Sequence, residues 1–571
     1  MLSHSVRANT NDNKFVQALK SGVGAFFTCT FCRRAAAISL CAFPMTSAFA
    51  WDFADTTAVA QQQAQKPFQP KSKNIPAELA SLGYDEMRDI RFKRDNALWR
   101  AEKLAFEADF FHVGAQGDSI AVFNVAPDGI SRVPYDPAQF DFGKNTVSPQ
   151  QWGETGRNLG LGGLRIFNAL NTPDVKDELV VFLGASYFRA LGQGQRYGIS
   201  ARGLAVDTVG ADAEEFPRFT DFWLQKPVPG ATTLTVHALL ESPRLTGAYR
   251  FEITPGAQTT TAVQARIYLR SENVLTSNDR KPIATLGIAP LSSMFLSGEN
   301  QPRASDFRPE VHDSDGLMIA TGEGEWLWRP LQNPRETLVT SFAKTTTPKG
   351  FGLMQRDRSF ASYEDPEARY ELRPSVWITP TSDWGRGRIE LLQFATPDET
   401  HDNVAAYWVP AKAWLPGDVL DFSYTLAWQG ADTTQRPPNG HVLQTRRGVG
   451  YSRLDSATLA RQAHFAIDFD GPALRALPEG AQVQAVVNSS ASGRILESLA
   501  YRNSANGTWR LKLRIERLEA NAPIELRAFL QSIPVAPDAP TASTLSSAPV
   551  AGSFQNLSHT LSETWTYLIT P

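Results

Sequence analysis

Two acidic stretches, Glu310-Val311-His312-Asp313-Ser314-Asp315 and Asp398-Glu399-Thr400-His401-Asp402-Asn403, stand far apart in the chain, in company with tryptophans and arginines. Carboxylates supply proton-transfer groups at a glycosidic bond, aromatic faces cover the apolar faces of sugar rings, and arginines fix hydroxyls in a concave site. These residue types together point to a carbohydrate. Each also has a plainer use. Asp313-Ser314-Asp315-Gly316 reads equally as a turn whose side chains cap backbone amides. Trp326, Trp328 and Trp377 suit a β-sandwich core as readily as a sugar platform. His312 and His401 are as well read as surface residues as partners of the carboxylates.

Other motifs with chemical meaning fail on context. A twelve-residue calcium loop beginning at Asp313 needs an oxygen ligand at its fifth position and Glu at its twelfth, and those are Leu317 and Gly324. The eight histidines form no H-E-x-x-H pair. Gly160, Gly162 and Gly163 resemble a dinucleotide fingerprint, but no βαβ unit surrounds them. There is no P-loop lysine and no G-x-S-x-G elbow. No metal and no organic cofactor is expected. A net charge of −3 gives no basic field for nucleic acid.

The start of the chain sets the compartment. Arg33-Arg34 precede an apolar run from Ala35 to Phe43, and Ala48-Phe49-Ala50 supplies a small-residue cleavage site. Residues 1–50 therefore read as a signal peptide, too short in its apolar part for a membrane span of roughly 20 residues. Both Sec and twin-arginine export fit this leader. All three cysteines, Cys29, Cys32 and Cys41, leave with it. The mature chain, about 520 residues, then has neither thiol chemistry nor disulfides, which a chain with so large a core does not need.

The dominant period along the rest is two. Val263 to Arg270 and Leu511 to Ile515 alternate as half-buried strands, and Thr233–Leu240, Tyr249–Ile253, Leu420–Trp428 and Gln482–Val487 are further strand candidates. Asn506-Gly507 is a hairpin signal. Pro76 to Ile90 reads as a helix, with Pro76 at its first turn. The fold class is all-β. The segment 429–440, with Pro437-Pro438-Asn439-Gly440, marks a linker between a large domain at 51–428 and a β-sandwich at 441–571. Ala536 to Ser558, rich in Ala, Pro, Ser and Thr, reads as a mobile loop before the last strand.

Several longer segments resemble a known family. Phe182-Leu183-Gly184-Ala185-Ser186-Tyr187-Phe188-Arg189-Ala190, Tyr197 to Ala205, Leu286-Gly287-Ile288-Ala289-Pro290, Arg308 to Gly316, Gly324-Glu325-Trp326-Leu327-Trp328-Arg329-Pro330 and Ser562-Glu563-Thr564-Trp565 are similar to the periplasmic glucan biosynthesis proteins, the G and D proteins of osmoregulated periplasmic glucan synthesis. Phe307-Arg308-Pro309-Glu310 and Trp326-Leu327-Trp328 are closer to the G branch. The likeness spans essentially the mature chain.

The resemblance implies a large galactose-mutarotase-like β-sandwich joined to an immunoglobulin-like one, located in the periplasm. It implies action on a β-1,2-linked glucan as an inverting endo-glucanase, with Asp402 as general acid and Asp313 as general base. A non-catalytic scaffold that presents nascent glucan to a membrane synthase or a branching transferase is the alternative. Tyr370, Arg373, Tyr187, Arg189, Arg202, Trp326 and His312 are the candidate glucan contacts. An acid protonated at rest is expected to have a raised pKa at Asp402.

Overall fold

Strands with one apolar face must bury it, and here two large sheets do so against each other. The computed structural model describes residues 51–70, 75–114, 118–210, 213–431, 434–448, 453–533 and 558–571. The expected leader with its three cysteines and the 536–557 part of the expected mobile loop lie outside the described residues.

One sheet has ten strands. Its main path runs Phe106–Phe111, Gly163–Asn168, Asp177–Leu183, Tyr187–Ala190, Ser200–Arg202, Leu286–Ser293, Val404–Pro410, Gly387–Gln393 and Leu338–Lys344, and Leu204–Val206 pairs beside Leu286–Ser293. A second sheet has fourteen strands. Its middle, Gly316–Ala320, Gly350–Met354, Ser375–Pro380, Val419–Gln429, Thr259–Leu269 and Leu245–Thr254, is antiparallel throughout. Thr259–Leu269 alternates buried and half-exposed positions, as its period of two requires. Between the sheets lies an aromatic core, with Phe182 of one sheet 5.2 Å from Phe251 of the other and Phe188 6.4 Å from Trp428.

The fourteen-stranded sheet continues past this core. Trp326–Pro330 pairs with Gly316–Ala320 on one side and runs parallel to the last strand, Thr564–Ile569, on the other, with Ile524–Ser532 and Val483–Ser489 beyond. A four-stranded sheet of His441–Arg447, Gln462–Asp470, Trp509–Arg517 and Gly493–Arg502 faces this end. Phe465 of that sheet meets Trp565 at 5.4 Å and Tyr567 at 5.0 Å. One long sheet thus serves two sandwiches.

All six strand segments expected from periodicity lie within or across observed strands, and the hairpin at Asn506-Gly507 joins Gly493–Arg502 to Trp509–Arg517. Gly507 takes φ +77°, the left-handed conformation that makes glycine useful there. The helix expected over Pro76–Ile90 is instead two short ones, Ala77–Ala80 and Tyr84–Asp89. Gly83 breaks the run: it is extended and starts the second helix, its amide donating to Glu86 Oε2 at 2.7 Å. The longest helix, Phe53–Ala64, was not foreseen. Asp52 and Asp55 form a capping box at its start, and Trp51 stacks on Trp223 at 4.5 Å. No helix among the described residues is long and apolar enough to cross a membrane.

Candidate functional site

The two acidic stretches meet on the backbone of Phe295. His312, in the short strand Val311–His312, pairs with Phe295 in an antiparallel ladder. From the other stretch, Asn403 accepts from the Phe295 amide at 2.8 Å and donates to its carbonyl at 3.0 Å and to the Phe394 carbonyl at 2.9 Å. Each partner of Phe295 is the immediate neighbour of an aspartate, Asp313 or Asp402. A second brace lies outside: Arg308 binds Asp306 at 2.9 Å, Asp365 at 3.0 Å and Glu399 at 2.8 Å, clasping the two stretches again.

The segment carrying Asp313 is held at nearly every position. Asp313 donates its amide to the Met294 carbonyl at 2.9 Å, and the Ser314 hydroxyl lies 2.6 Å from that of Ser293. Asp315 Oδ2 accepts from the amides of Arg356 and Asp357, at 2.9 and 3.2 Å. It orients backbone as a turn-type aspartate does. Gly316 has to be a glycine, because a Cβ there would stand 2.2 Å from the Trp328 ring.

Asp313 is buried at 4 % exposure and accepts a charged hydrogen bond from Arg373 Nη1. That guanidinium lies over the Tyr370 ring, 4.1 Å from its centroid. Asp402 is half-buried. Burial pushes its pKa up, the negative charge of Asp313 pushes it further, and Arg189 and Arg373 oppose both. The raised value expected for Asp402 is therefore present, with desolvation as its main cause. Removing Arg373 takes away one of the two opposing cations, so Arg373→Ala should move the Asp402 titration to higher pH. Carboxyl carbon NMR of the labelled chain checks this, and an unmoved or lowered midpoint would contradict it.

The ten-stranded sheet supplies the opposite wall. Tyr187 and Arg189 sit on the strand Tyr187–Ala190, and Arg189 Nε donates to the Ser200 hydroxyl at 2.6 Å. Burial raises the Tyr187 pKa, Arg202 opposes the rise, and the charges of Glu214 and Asp402 add to it. Arg202 pairs across from Tyr187 in the ladder, lies under its ring at 5.1 Å and donates to Glu214 at 2.5 Å. At 3 % exposure it supports Tyr187 and faces no open surface.

Asp313, Asp402, Tyr370, Arg373, Tyr187 and Arg189 therefore share one neighbourhood, and Arg202 reaches it through Tyr187. Two candidates stand apart. His312 is fully buried, stacked on Phe295 at 5.4 Å, and bonded to Gln355 and Glu310 at 2.9 Å each. Its ring is thus engaged by Gln355 and Glu310, not by Asp313. Trp326 pairs with Ala320 at the end of the strand farthest from Asp315 and stacks on Trp377 at 5.8 Å. It packs against the second sandwich's core. His401 is exposed, beside Asp398 at 3.6 Å. Sequence reasoning missed Phe295, Asn403, Arg308 and Glu399 as the residues that bring the pair together. Arg308 lies within a family-like motif, and Glu399 and Asn403 within the second acidic stretch, while Phe295 carried no signal.

The candidate site therefore joins two aspartates, flanked by tyrosines and arginines, on an all-β double sandwich. Known proteins show the family. Residues 51–537 match the model of the periplasmic glucan biosynthesis protein family, MdoG. The chain is also 47 % identical over 529 residues to glucans biosynthesis protein G of Ralstonia nicotianae (strain ATCC BAA-1114 / GMI1000), covering 92 % of this chain and 97 % of that protein. The chain belongs to the periplasmic glucan biosynthesis family, in its G branch, with a role in making periplasmic glucans and a periplasmic location.

Proposed function

We propose that the mature protein is an inverting endo-β-1,2-glucanase that trims or shapes the glucan backbone during its synthesis. Asp402 is the general acid on the leaving oxygen, and Asp313 is the base that activates water from the opposite face. Residues 1–50 are the export leader, the region 51–428 carries the site, and 441–571 forms the immunoglobulin-like partner. Glucan reaches the protein from a membrane synthase.

The observation that supports this reading is the environment of the two carboxylates. Asp313 accepts a charged hydrogen bond from Arg373. Asp402 is pushed up by burial and by Asp313, which favours the protonated form that an acid needs. Tyr187, Arg189, Tyr370 and Arg373 surround the pair with the aromatic and guanidinium groups that sugar rings and hydroxyls engage.

The reading is tested by following linear β-1,2-glucan with the mature chain by proton NMR from the first minutes. Cleavage whose new reducing ends appear first as the α-anomer is the expected result, since inversion at a β-linked carbon gives α. New ends that appear first as β would overturn inversion. Binding with no cleavage would replace the glucanase by a scaffold that presents nascent glucan.

A further inference from the structure

Behind the Asp313 segment lies an acidic cluster for which the proposed reaction has no use. Glu299, Glu310 and Asp357, from three separate parts of the chain, each offer a carboxylate oxygen, and these oxygens lie within 4.8 Å of one another. Glu310 is buried at 6 % exposure. Glu299 and Glu310 also line a cavity of about 20 Å³ together with His312, Asp315 and Trp328. That volume admits one water-sized occupant.

Asp315 supplies an independent sign of a missing ligand. Its Oδ2 is fixed by the two amides of Arg356 and Asp357. Its Oδ1 is buried without a hydrogen-bond partner, in a residue that lines the cavity. A buried carboxylate oxygen left bare costs on the order of 1–3 kcal/mol or more, so an unpaired one calls for an occupant.

Charge leads to the same conclusion. Gln355 Nε2 donates to the carbonyls of His312 and Tyr370, which leaves its Oε1 to accept from His312 Nδ1. The Nδ1 proton is thereby assigned, and Nε2 faces Glu310 at 2.9 Å. Even a fully charged His312 offsets one of four carboxylates. The guanidinium of Arg356 is already committed to Glu563 and that of Arg446 to Asp468. Carboxylates gathered in this way are what a bound cation relieves.

We propose that Glu299, Glu310 and Asp357, beside the free Oδ1 of Asp315, form a binding site for a divalent cation, with calcium as the fitting ion. The donors are all oxygen, as a hard cation requires. Oxygens on opposite sides of a calcium ion stand up to roughly 5 Å apart, whereas magnesium at about 2.0–2.1 Å demands a tighter octahedron. The ligands are spread over three segments, so the site has no twelve-residue loop, and a motif search along the sequence passes it by. Thr445 donates its amide to Glu299 Oε1 at 2.9 Å. An ion here would therefore join the strand His441–Arg447, the Glu299 turn and the segment that presents Asp313. The proposal stands apart from the glucanase reading, because it needs neither glucan nor turnover.

Trp328 lines the same cavity and can sensitise terbium, a calcium surrogate, by energy transfer. The test takes the chelator-treated mature chain, titrates terbium under tryptophan excitation, and then adds calcium. A single saturable phase of emission that calcium displaces is expected, with affinity weakened on the order of 10-fold or more in Glu299→Gln and in Asp357→Asn. Calcium should also raise the melting temperature of the parent by several degrees, because it binds the folded chain. A parent with neither sensitised emission nor a calcium-dependent melt would overturn the proposal and leave protons as the neutralising species. Emission untouched by both substitutions would overturn it equally, since the ion would then sit elsewhere.

Discussion

Asp402→Asn is expected to lower glucan cleavage by about 10²–10⁴-fold while glucan binding stays within a few-fold of the parent. Asparagine keeps the size and polarity of the side chain but has no proton to give a leaving oxygen. In barrier terms the loss is about 2.7–5.4 kcal/mol. Because proton transfer belongs to the transition state alone, kcat and kcat/KM should fall together with little change in KM. The pH profile adds a second readout. A general acid works while protonated, so the parent's rate should fall as pH rises through the Asp402 pKa. That pKa is raised by burial and by Asp313, which holds the descending limb above the ordinary carboxylate range. The variant should lose the limb. Steady-state kinetics and calorimetric binding of β-1,2-glucan measure both parts, and a variant that turns over like the parent would remove Asp402 from the chemistry.

The second large effect concerns the joint between the two sandwiches. Glu563 is fully buried and accepts from Arg356 Nη1 at 2.6 Å, from Arg356 Nη2 at 3.1 Å and from the Val442 amide at 2.8 Å. The Arg356 guanidinium also lies 3.5 Å from the centroid of the Trp328 ring. Glu563→Ala strips the carboxylate from this arrangement, leaves the buried Val442 amide without its acceptor, and leaves a largely buried guanidinium without its counter-charge, with only the Val442 carbonyl and the Met318 sulfur as partners. Breaking a buried pair from one side costs about 3–5 kcal/mol. We expect a clear fall in the urea midpoint, and a smaller one for Glu563→Gln, which keeps an acceptor for Val442. Because the Arg356 amide also holds Asp315, the loss should carry into the segment that presents Asp313. A Glu563→Ala protein as resistant to urea as the parent would mean that the pair contributes nothing net to the joint.

Much of the architecture was legible because a strand's pattern is local. Thr259–Leu269 and Trp509–Arg517 show their buried face in every second residue, and the hairpin at Gly507 shows in a dipeptide. The helix at 76–90 was misjudged because a favourable start at Pro76 outweighed Gly83, whose extended backbone divides it. Residue type and a family-like motif make Trp326 a candidate sugar contact, while its register across from Ala320 carries it to the end of the strand away from Asp315. Register depends on the partner strand, which the strand's own sequence does not name.

The amino-acid sequence by itself determined the all-β class and the family. Those properties reside in local alternation and in motifs read one segment at a time. Only the tertiary structure decided that the segments carrying Asp313 and Asp402 meet, through Phe295 and Asn403, and that Arg373 attends the first aspartate while burial raises the second. It also decided that Glu299, Glu310 and Asp357 converge. The reason is electrostatic. A carboxylate's proton affinity is set by the charges and the water within a few ångströms of it, and in a sheet protein those neighbours come from distant parts of the chain.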